Sequence, residues 1–320
     1  MLERSPAIGK TIKKISSIIF AIIGVFGLLL YAASPRALSV EEIKQMGLVE
    51  DDPRFIKIND LDTHFLRKGK GEELLLIHGF ASSTYTWHKV VDSLAQDFEV
   101  NAIDLPGFGL TQALNTAPTI DAYVEFINDF MQTLCIDSAV LMGNSFGGEI
   151  SWRLALKYPH RVRALILVDA AGYPHQSPFI FKMLRVPLLG EMIAGVNAKW
   201  IVRKNLQQVF VNDNLVTDAV VDNYYYRLLK VGNRETALVR ARMSSDALYQ
   251  SLPQIQQPTL IIWGENDAWI PVASAHRFAT DIPQAELTIL PNCGHVPQEE
   301  KPDEVARRVR AFWREIRSIP

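Results

Sequence analysis

A serine between glycines is the residue of this sequence best placed to do covalent chemistry. It lies in Gly143-Asn144-Ser145-Phe146-Gly147-Gly148, after an apolar run (residues 138–142) typical of a buried parallel strand and before residues with helical spacing that end at Pro159. A strand, a tight turn and a helix would expose the Ser145 hydroxyl at the turn, where larger flanking residues would clash. The helix would direct its free N–H groups towards an oxyanion formed at Ser145.

A serine hydroxyl becomes a nucleophile when a base takes its proton, and the predicted base is His295. It lies on a loop after the last predicted strand, where Gly294 allows close approach. For His78, at the end of another predicted strand, a structural hydrogen bond is the expected role. The remaining histidines lie at hairpin, helix or insertion positions that suit surface or packing roles: His64, His88, His160, His175 and His276.

The base in turn needs an acidic group that holds it in one tautomer. Asp267 is the predicted orienting acid, with Asp169 as the main alternative and Glu265 two residues nearer the strand. Asp104 is expected to stabilise its own turn through hydrogen bonds from its side chain to the backbone.

These residues require a framework that brings distant loops together. A hairpin is predicted from residues 55–58 and 63–67, and buried strands from 73–77, 98–103, 138–142, 164–168, 259–263 and 286–290, with helices at 119–134 and 302–316. Strands alternating with helices predict an α/β fold whose mostly parallel sheet is covered on both faces. Functional side chains gather at the carboxyl ends of such strands. Six candidates directly follow predicted strands: His78, Asp104, Ser145, Asp169, Asp267 and His295.

Residues 172–252 interrupt the alternation with helix-like, aromatic-rich sequence and predict a helical cap over the strand ends, inserted after the sixth strand. An extension of the core is the other interpretation. The predicted domains are residues 1–34 (basic segment and anchor), 35–53 (linker), 54–171 (core, first part), 172–252 (cap) and 253–320 (core, second part).

Together, these motifs resemble the α/β-hydrolase fold superfamily, specifically its capped serine hydrolases of the esterase and lipase type. The resemblance covers residues 55–316 and rests on His78-Gly79-Phe80, the Asp104–Gly109 turn, the serine motif, Trp263-Gly-Glu-Asn-Asp267 and Gly294-His295. It implies an eight-stranded sheet, a Ser145-His295-Asp267 triad and an acyl-enzyme. The implied oxyanion donors are the backbone N–H groups of Phe80 and Phe146, and the substrate-binding residues are expected within the cap.

Two alternatives to an ester hydrolase remain open, one catalytic and one not. A meta-cleavage-product hydrolase, which breaks a C–C bond, shares the Gly-Asn-Ser-x-Gly-Gly motif. A non-catalytic binding protein of the same fold is the third interpretation. The related dehalogenases and epoxide hydrolases use an aspartate nucleophile, and Ser145 occupies that position here.

An uncharged apolar run precedes the predicted linker. Residues 15–33 would span about 28 Å as a helix and follow four basic residues, which predicts a single-pass anchor with a cytoplasmic N-terminus and a non-cytoplasmic catalytic domain. Signal cleavage followed by secretion is the alternative.

Composition narrows the range of partners. The 320 residues carry a formal net charge of −2, which gives no reason to expect nucleic acid as a partner. No metal-ligand spacing is present, and no cofactor is expected. Cys135 and Cys293 are expected to be buried thiols, although a disulfide is possible. The expected partners are a small or lipid-like ester and the membrane.

Overall fold

The computed structural model describes residues 34–49, 52–196, 198–244 and 246–318, together with Gly24. The predicted anchor at residues 15–33 therefore lies outside the described residues, apart from Gly24. In the described ranges, no helix combines the length and apolar character needed to cross a bilayer.

An eight-stranded sheet forms the centre of the molecule, as predicted. Its strands are β1 (Arg54–Ile58), β2 (Leu61–Gly69), β3 (Glu72–Ile77), β4 (Phe98–Ile103), β5 (Ala139–Asn144), β6 (Val162–Val168), β7 (Thr259–Gly264) and β8 (Ala285–Leu290). They are arranged in the order β1-β2-β4-β3-β5-β6-β7-β8. β1 and β2 pair antiparallel, β2 pairs antiparallel with β4, and the remaining pairs are parallel. The central strand β5 therefore delivers Ser145 to the middle of the carboxyl edge.

The β1–β2 hairpin follows from its turn residues. Ile58 pairs with Leu61 across a two-residue loop, and Asn59 and Asp60 both have positive φ, 46° and 68°. Such a turn matches the twist of the flanking strands and favours asparagine and aspartate.

Helices cover both faces of the sheet. The helices that precede β6 are α1 (Val40–Gln45), α2 (Val91–Leu94), α3 (Ile120–Thr133) and α4 (Phe146–Lys157). After β6 come α5 (Phe179–Leu184), α6 (Leu189–Val196), α7 (Lys199–Val209), α8 (Asp218–Leu228) and α9 (Asn233–Arg242), and the chain continues with α10 (Ala273–Asp281), α11 (Pro297–Glu300) and α12 (Pro302–Ser318). One apolar cluster joins α3, α4 and α10 to the sheet, and a second joins α2 and α12 to its other face.

Helices α5–α9 pack against one another as a unit. Within it, α7 and α8 share a small apolar cluster, which also includes Val296 from the loop after β8. The segment predicted as a linker packs onto this unit. Leu38 donates its N–H to the carbonyl of Leu229 at 2.8 Å and accepts from Val231 at 3.0 Å, and the Ile43 side chain is fully buried. The start of the described chain is thereby attached to helices α8 and α9.

The two cysteines differ from expectation in one respect. Cys293 is buried, but Cys135 is exposed, and both are free thiols. The Cys135 backbone has a φ of 55°, because it forms the turn that follows α3. The prediction of two buried thiols was therefore wrong for Cys135.

Candidate active site

Ser145 sits in a strained turn between β5 and α4, with φ 55° and ψ −115°. The turn is tight enough that a Cβ at Gly143 would lie 2.3 Å from the carbonyl oxygen of Gly147, and one at Gly147 would lie 2.0 Å from that of Ile77. Its backbone is held by a hydrogen bond from the Ser145 N–H to Val168 at 2.9 Å. The two glycines are therefore required by close backbone approach, and the serine is presented at the strand end.

The structure brings His295 and Asp267 together at the same edge. Nδ1 of His295 lies 2.7 Å from Oδ2 of Asp267, and both residues are buried. The other oxygen of Asp267 accepts the N–H groups of Trp269 at 2.7 Å and Ile270 at 3.0 Å. A carboxylate fixed in this way holds the imidazole with Nδ1 protonated and leaves Nε2 available as a base. His295 and Ser145 line the same cavity.

The remaining acids predicted near the base occupy different positions. Glu265 is exposed, on the loop that carries Asp267. Asp169 is fully buried, and its Oδ1 accepts the N–H of Gly264 at 3.0 Å. One oxygen or nitrogen atom from each of Asp169, Asp267 and His295 lies within 4.8 Å of the other two. Asp267 is thus the acid that bonds to the imidazole, and Asp169 lies behind it.

The two expected oxyanion donors flank Ser145. Phe146 is the first residue of α4, where a backbone N–H has no partner within the helix. Phe80 follows β3 on the loop that passes over Ser145, and a Cβ at Gly79 would lie 3.3 Å from the Cβ of Ser145. Both residues lie next to the serine, as an oxyanion hole requires.

Buried polar groups support the loop that carries Phe80. His78 donates from Nδ1 to the carbonyl of Gly79 at 2.7 Å and accepts the N–H of Leu105 at Nε2, 3.0 Å away. Burial lowers the pKa of His78, which favours the neutral ring that this pattern needs. The structural role predicted for His78 agrees with these bonds.

Asp104 stabilises the same region through contacts beyond its own turn, to which its hydrogen bonds were expected to be confined. Its carboxylate accepts the N–H groups of Thr84 at 2.6 Å and Leu110 at 2.8 Å, and it lies 2.7 Å from Nδ1 of His64. Burial by itself would raise the pKa of Asp104, but its interaction with the His64 side chain and the N–H groups that donate to its carboxylate bring that pKa below its usual range. His64 was expected at a surface or packing position and is instead part of a second buried histidine–aspartate pair.

Comparisons with known proteins identify the family of this chain. Residues 74–308 match the model of the alpha/beta hydrolase family. The chain belongs to this family. It is 29% identical to the human monoacylglycerol lipase ABHD6 (77% of this chain and 76% of the relative). It is 27% identical to a 2-hydroxy-6-oxo-6-(2'-aminophenyl)hexa-2,4-dienoic acid hydrolase from Metapseudomonas resinovorans (87% and 95%). The crystal structure of a bacterial membrane phospholipase A matches with a TM-score of 0.72 and 25% identity, over 98% of this chain and 99% of that one.

In this α/β hydrolase, the loops that carry Ser145 and His295 are also held by contacts that the sequence did not reveal. Nδ2 of Asn144 donates to the carbonyls of His295 at 3.1 Å and Val168 at 3.2 Å, which links the serine turn to the histidine loop. The His295 N–H donates to the carbonyl of Val209 at the end of α7, 2.8 Å away. Asn144 stands inside the serine motif and could have been suspected, whereas nothing in the sequence pointed to Val209.

A buried acidic residue connects the loop after β3, helix α8 and helix α11. Glu299 accepts the hydroxyls of Thr86 at 2.6 Å and of Tyr224, and Lys89 donates to its backbone carbonyl at 2.9 Å. Burial raises the pKa of Glu299 to about 7, although both hydroxyl hydrogen bonds oppose that shift. This network joins α11, which follows the loop of His295, to α8 and to the loop after β3.

An apolar cavity of about 160 Å³ opens onto Ser145 and His295. Its wall is formed mainly by helices α5, α6, α7 and α9, with side chains that include Leu184, Ile193, Val202, Leu206 and Leu238. The predicted location of substrate-binding residues, within 172–252, therefore coincides with most of this wall. Phe80, whose N–H is an expected oxyanion donor, and Trp269 also line it.

Proposed function

We propose that this chain is a serine hydrolase that cleaves carboxylic esters with an apolar acyl chain. Ser145 attacks the ester carbonyl while Nε2 of His295 accepts the hydroxyl proton. The N–H groups of Phe80 and Phe146 stabilise the oxyanion, and each such donor contributes about 3–4 kcal/mol in comparable enzymes. His295 then gives the proton to the leaving alcohol, which leaves an acyl-enzyme.

Water completes the reaction by the same route. His295 takes a proton from the water, the hydroxide attacks the acyl carbonyl, and Ser145 leaves with the proton returned by His295. Asp267 remains ionised throughout and stabilises the imidazolium that forms in each half-reaction. The bond between its Oδ2 and Nδ1 of His295 supports this assignment of roles.

The substrate class rests on the apolar cavity beside the serine. Most of its wall is aliphatic or aromatic, so a bound acyl chain would bury its surface mainly against apolar side chains. We propose that helices α5–α9 form a cap and that this cap holds the acyl chain.

A variant that fills the cavity is expected to shorten the preferred acyl chain. Leu238 lines the cavity on α9, and the neighbouring Val239 is 45% exposed and does not line it. Leu238→Trp should lower kcat/KM for long-chain p-nitrophenyl esters about tenfold, since each methylene excluded from an apolar site costs about 0.8 kcal/mol. Hydrolysis of the acetate ester should change little.

Val239→Trp is the matched control and should leave the chain-length profile unaltered. Labelling of the wild type by a fluorophosphonate establishes separately that an activated serine is present. A folded wild type that resists labelling would favour the binding-protein interpretation instead.

We further propose that the enzyme is anchored in a membrane through residues 15–33, with its catalytic domain on the non-cytoplasmic side. The described chain begins beside α6: Arg234 donates to the carbonyls of both Pro35 and Gly195, each at 3.1 Å. At the other end of α6, the turn that precedes this helix exposes Val186 and Leu188 to 48% and 78%. The likeness to the membrane phospholipase A extends over 98% of this chain, which supports the anchor. An exposed apolar turn beside such an anchor would meet the bilayer and bring lipid esters to the cavity.

A charge at this turn is expected to impair hydrolysis at a membrane but not in solution. For the full chain in lipid vesicles, Leu188→Glu should slow hydrolysis of a bilayer monoacylglycerol about tenfold or more, because burial of one leucine contributes roughly 1.5–3 kcal/mol. Hydrolysis of soluble p-nitrophenyl acetate should be unchanged. Phe55→Glu, at a 41% exposed apolar residue of the edge strand β1, is the control and should affect neither substrate. Equal rates on the bilayer substrate for Leu188→Glu and wild type would contradict membrane contact at this turn.

The second candidate function is hydrolysis of a C–C bond in a meta-cleavage product, favoured by the relative from Metapseudomonas resinovorans. Such dienoic acids carry a carboxylate. A bound carboxylate would need a cationic partner. In the described part of the chain, Arg234 is the one lysine or arginine that lines the cavity, and its guanidinium already donates to two backbone carbonyls. Parallel assays with a p-nitrophenyl ester and a dienoic acid distinguish the two activities.

A further inference from the structure

Asp169 and Asp267 form a buried pair of carboxyl groups behind His295. They follow the adjacent parallel strands β6 and β7, and the Asp169 N–H donates to the carbonyl of Ile262 at 3.0 Å, which fixes the end of one strand against the other. Asp169 is fully buried and Asp267 is 8% exposed. Their nearest oxygens and a nitrogen of His295 lie within 4.8 Å of one another. The proposed mechanism assigns no role to Asp169.

The hydrogen bonds of the two carboxyl groups are unequal. Asp267 accepts three donors: Nδ1 of His295 and the N–H groups of Trp269 and Ile270. Asp169 accepts only the N–H of Gly264 at Oδ1, and its Oδ2 is buried without a hydrogen-bond partner among the described residues. An ionised carboxylate cannot donate, so this oxygen would remain unsatisfied, whereas a protonated Oδ2 has the Asp267 carboxylate beside it as an acceptor.

The charges around the pair favour a single proton on Asp169. Burial and then the charge of Asp267 raise the pKa of Asp169 well above its usual range, and Glu300 adds to the shift. The nearby Cys293 thiol is neutral because burial raises its pKa. Over the residues that the structure covers, no lysine or arginine forms an ion pair with either carboxyl group. Two carboxylates this close in a buried site do not both ionise.

We propose that Asp169 is a positioning residue, a neutral carboxylic acid whose Oδ2–H donates to Asp267 and holds the Asp267 carboxylate against His295. This role rests on the proposed function, because it acts through the triad. The proton stays on Asp169 throughout turnover, and Asp267 remains the ion that faces the imidazolium.

Two substitutions separate this role from simple packing. Asparagine reproduces the neutral acid: its amide oxygen can accept from Gly264, its amide N–H can donate to Asp267, and it tolerates the positive φ of 44° at this position. Asp169→Asn should therefore retain kcat within about threefold. Asp169→Gly also tolerates this φ but removes the donor, and it should lower kcat about tenfold or more.

The pH–rate profile distinguishes a neutral from an ionised Asp169. The acidic limb of kcat/KM for Asp169→Asn should coincide with that of wild type, since no charge is lost. An ionised Asp169 would favour the protonated imidazole, so its replacement would move the limb to lower pH. Such a shift would overturn the proposal. A folded Asp169→Asn enzyme without activity would also overturn it, since Asp169 would then be the essential acid.

Two measurements made without turnover keep this test independent of the proposed function. The first is an infrared difference spectrum, in which the spectrum of the Ser145→Ala/Asp169→Asn double variant is subtracted from that of Ser145→Ala. At pH 7 this difference should show the carbonyl band of a protonated carboxylic acid. A raised pKa means that the folded protein keeps a proton that the unfolded chain releases above about pH 4, so the stability from this group falls as pH rises. The Tm of Asp169→Asn relative to wild type should therefore increase from pH 4 to pH 8. An absent band, or a Tm difference independent of pH, would refute the neutral acid even if the protein hydrolyses no ester.

Discussion

Ser145→Ala is expected to abolish ester hydrolysis, lowering kcat by about 10⁶-fold, the loss found when the nucleophile of a serine triad is removed. The physical reason is that the reaction then lacks its covalent intermediate, and His295 has no hydroxyl to activate. Fluorophosphonate labelling should disappear in parallel. Residual hydrolysis from the oxyanion donors and the cavity should remain above the rate in water. A variant that kept substantial turnover would exclude Ser145 as the nucleophile.

The same position allows a stability test of the strained turn. Alanine retains a Cβ at φ 55° and ψ −115°, whereas glycine adopts such a conformation without steric cost. The free energy of unfolding of Ser145→Gly should therefore exceed that of Ser145→Ala, although both variants are inactive. Relief of the strain contributes about 1–3 kcal/mol, and the extra freedom of glycine in the unfolded chain offsets roughly 0.5–1 kcal/mol of it. Urea denaturation of the two proteins gives this difference directly. A Ser145→Gly protein less stable than Ser145→Ala would contradict strain of this size at the turn.

Asp267→Asn is expected to lower kcat by about 10⁴-fold, the loss caused by the equivalent change in a serine protease. The amide oxygen can still accept the N–H groups of Trp269 and Ile270, so the loop should keep its shape. The amide nitrogen then faces His295 and donates to Nδ1, which leaves the proton on Nε2 and removes the base. Steady-state kinetics on a p-nitrophenyl ester measures the effect.

Glu265→Gln is the control for Asp267→Asn, because Glu265 is exposed on the same loop. It should leave kcat unchanged. Full activity in Asp267→Asn, together with loss of activity in Asp169→Asn, would reverse the roles assigned to the two aspartates. That outcome would leave the nucleophile and the base as proposed.

The sequence alone was sufficient to predict the eight strands and the position of the serine. Buried strands of five or six apolar residues between turn residues are a local signal, because burial on both faces leaves no alternation to interpret. The serine motif is local as well: its glycines, the preceding strand and the following helix lie within about 20 residues. The confirmed fold class follows from these local patterns, since alternating strands and helices allow few other arrangements.

The choice between acids depended on the tertiary structure. Asp169 and Asp267 each follow a strand, so their positions in the chain could not establish which one bonds to His295. Pairing of β6 with β7 brings both to one place, and the 2.7 Å contact identifies Asp267. The contact between His64 and Asp104 could not be predicted from the sequence for the same reason. The pairing of β2 with β4 brings these two residues together, although they are 40 residues apart, and no local sequence pattern indicates this contact.

What the sequence by itself determined, then, was the set of groups able to do chemistry and the edge of the sheet where they would meet. The tertiary structure decided how they are held: the bond from Asn144 to the His295 loop, the contact of that loop with Val209, and the apolar cavity walled by α5–α9. The physical reason is that strand and helix formation follows from short-range periodicity, whereas these contacts join segments dozens of residues apart. Their geometry emerges only when the whole chain is packed.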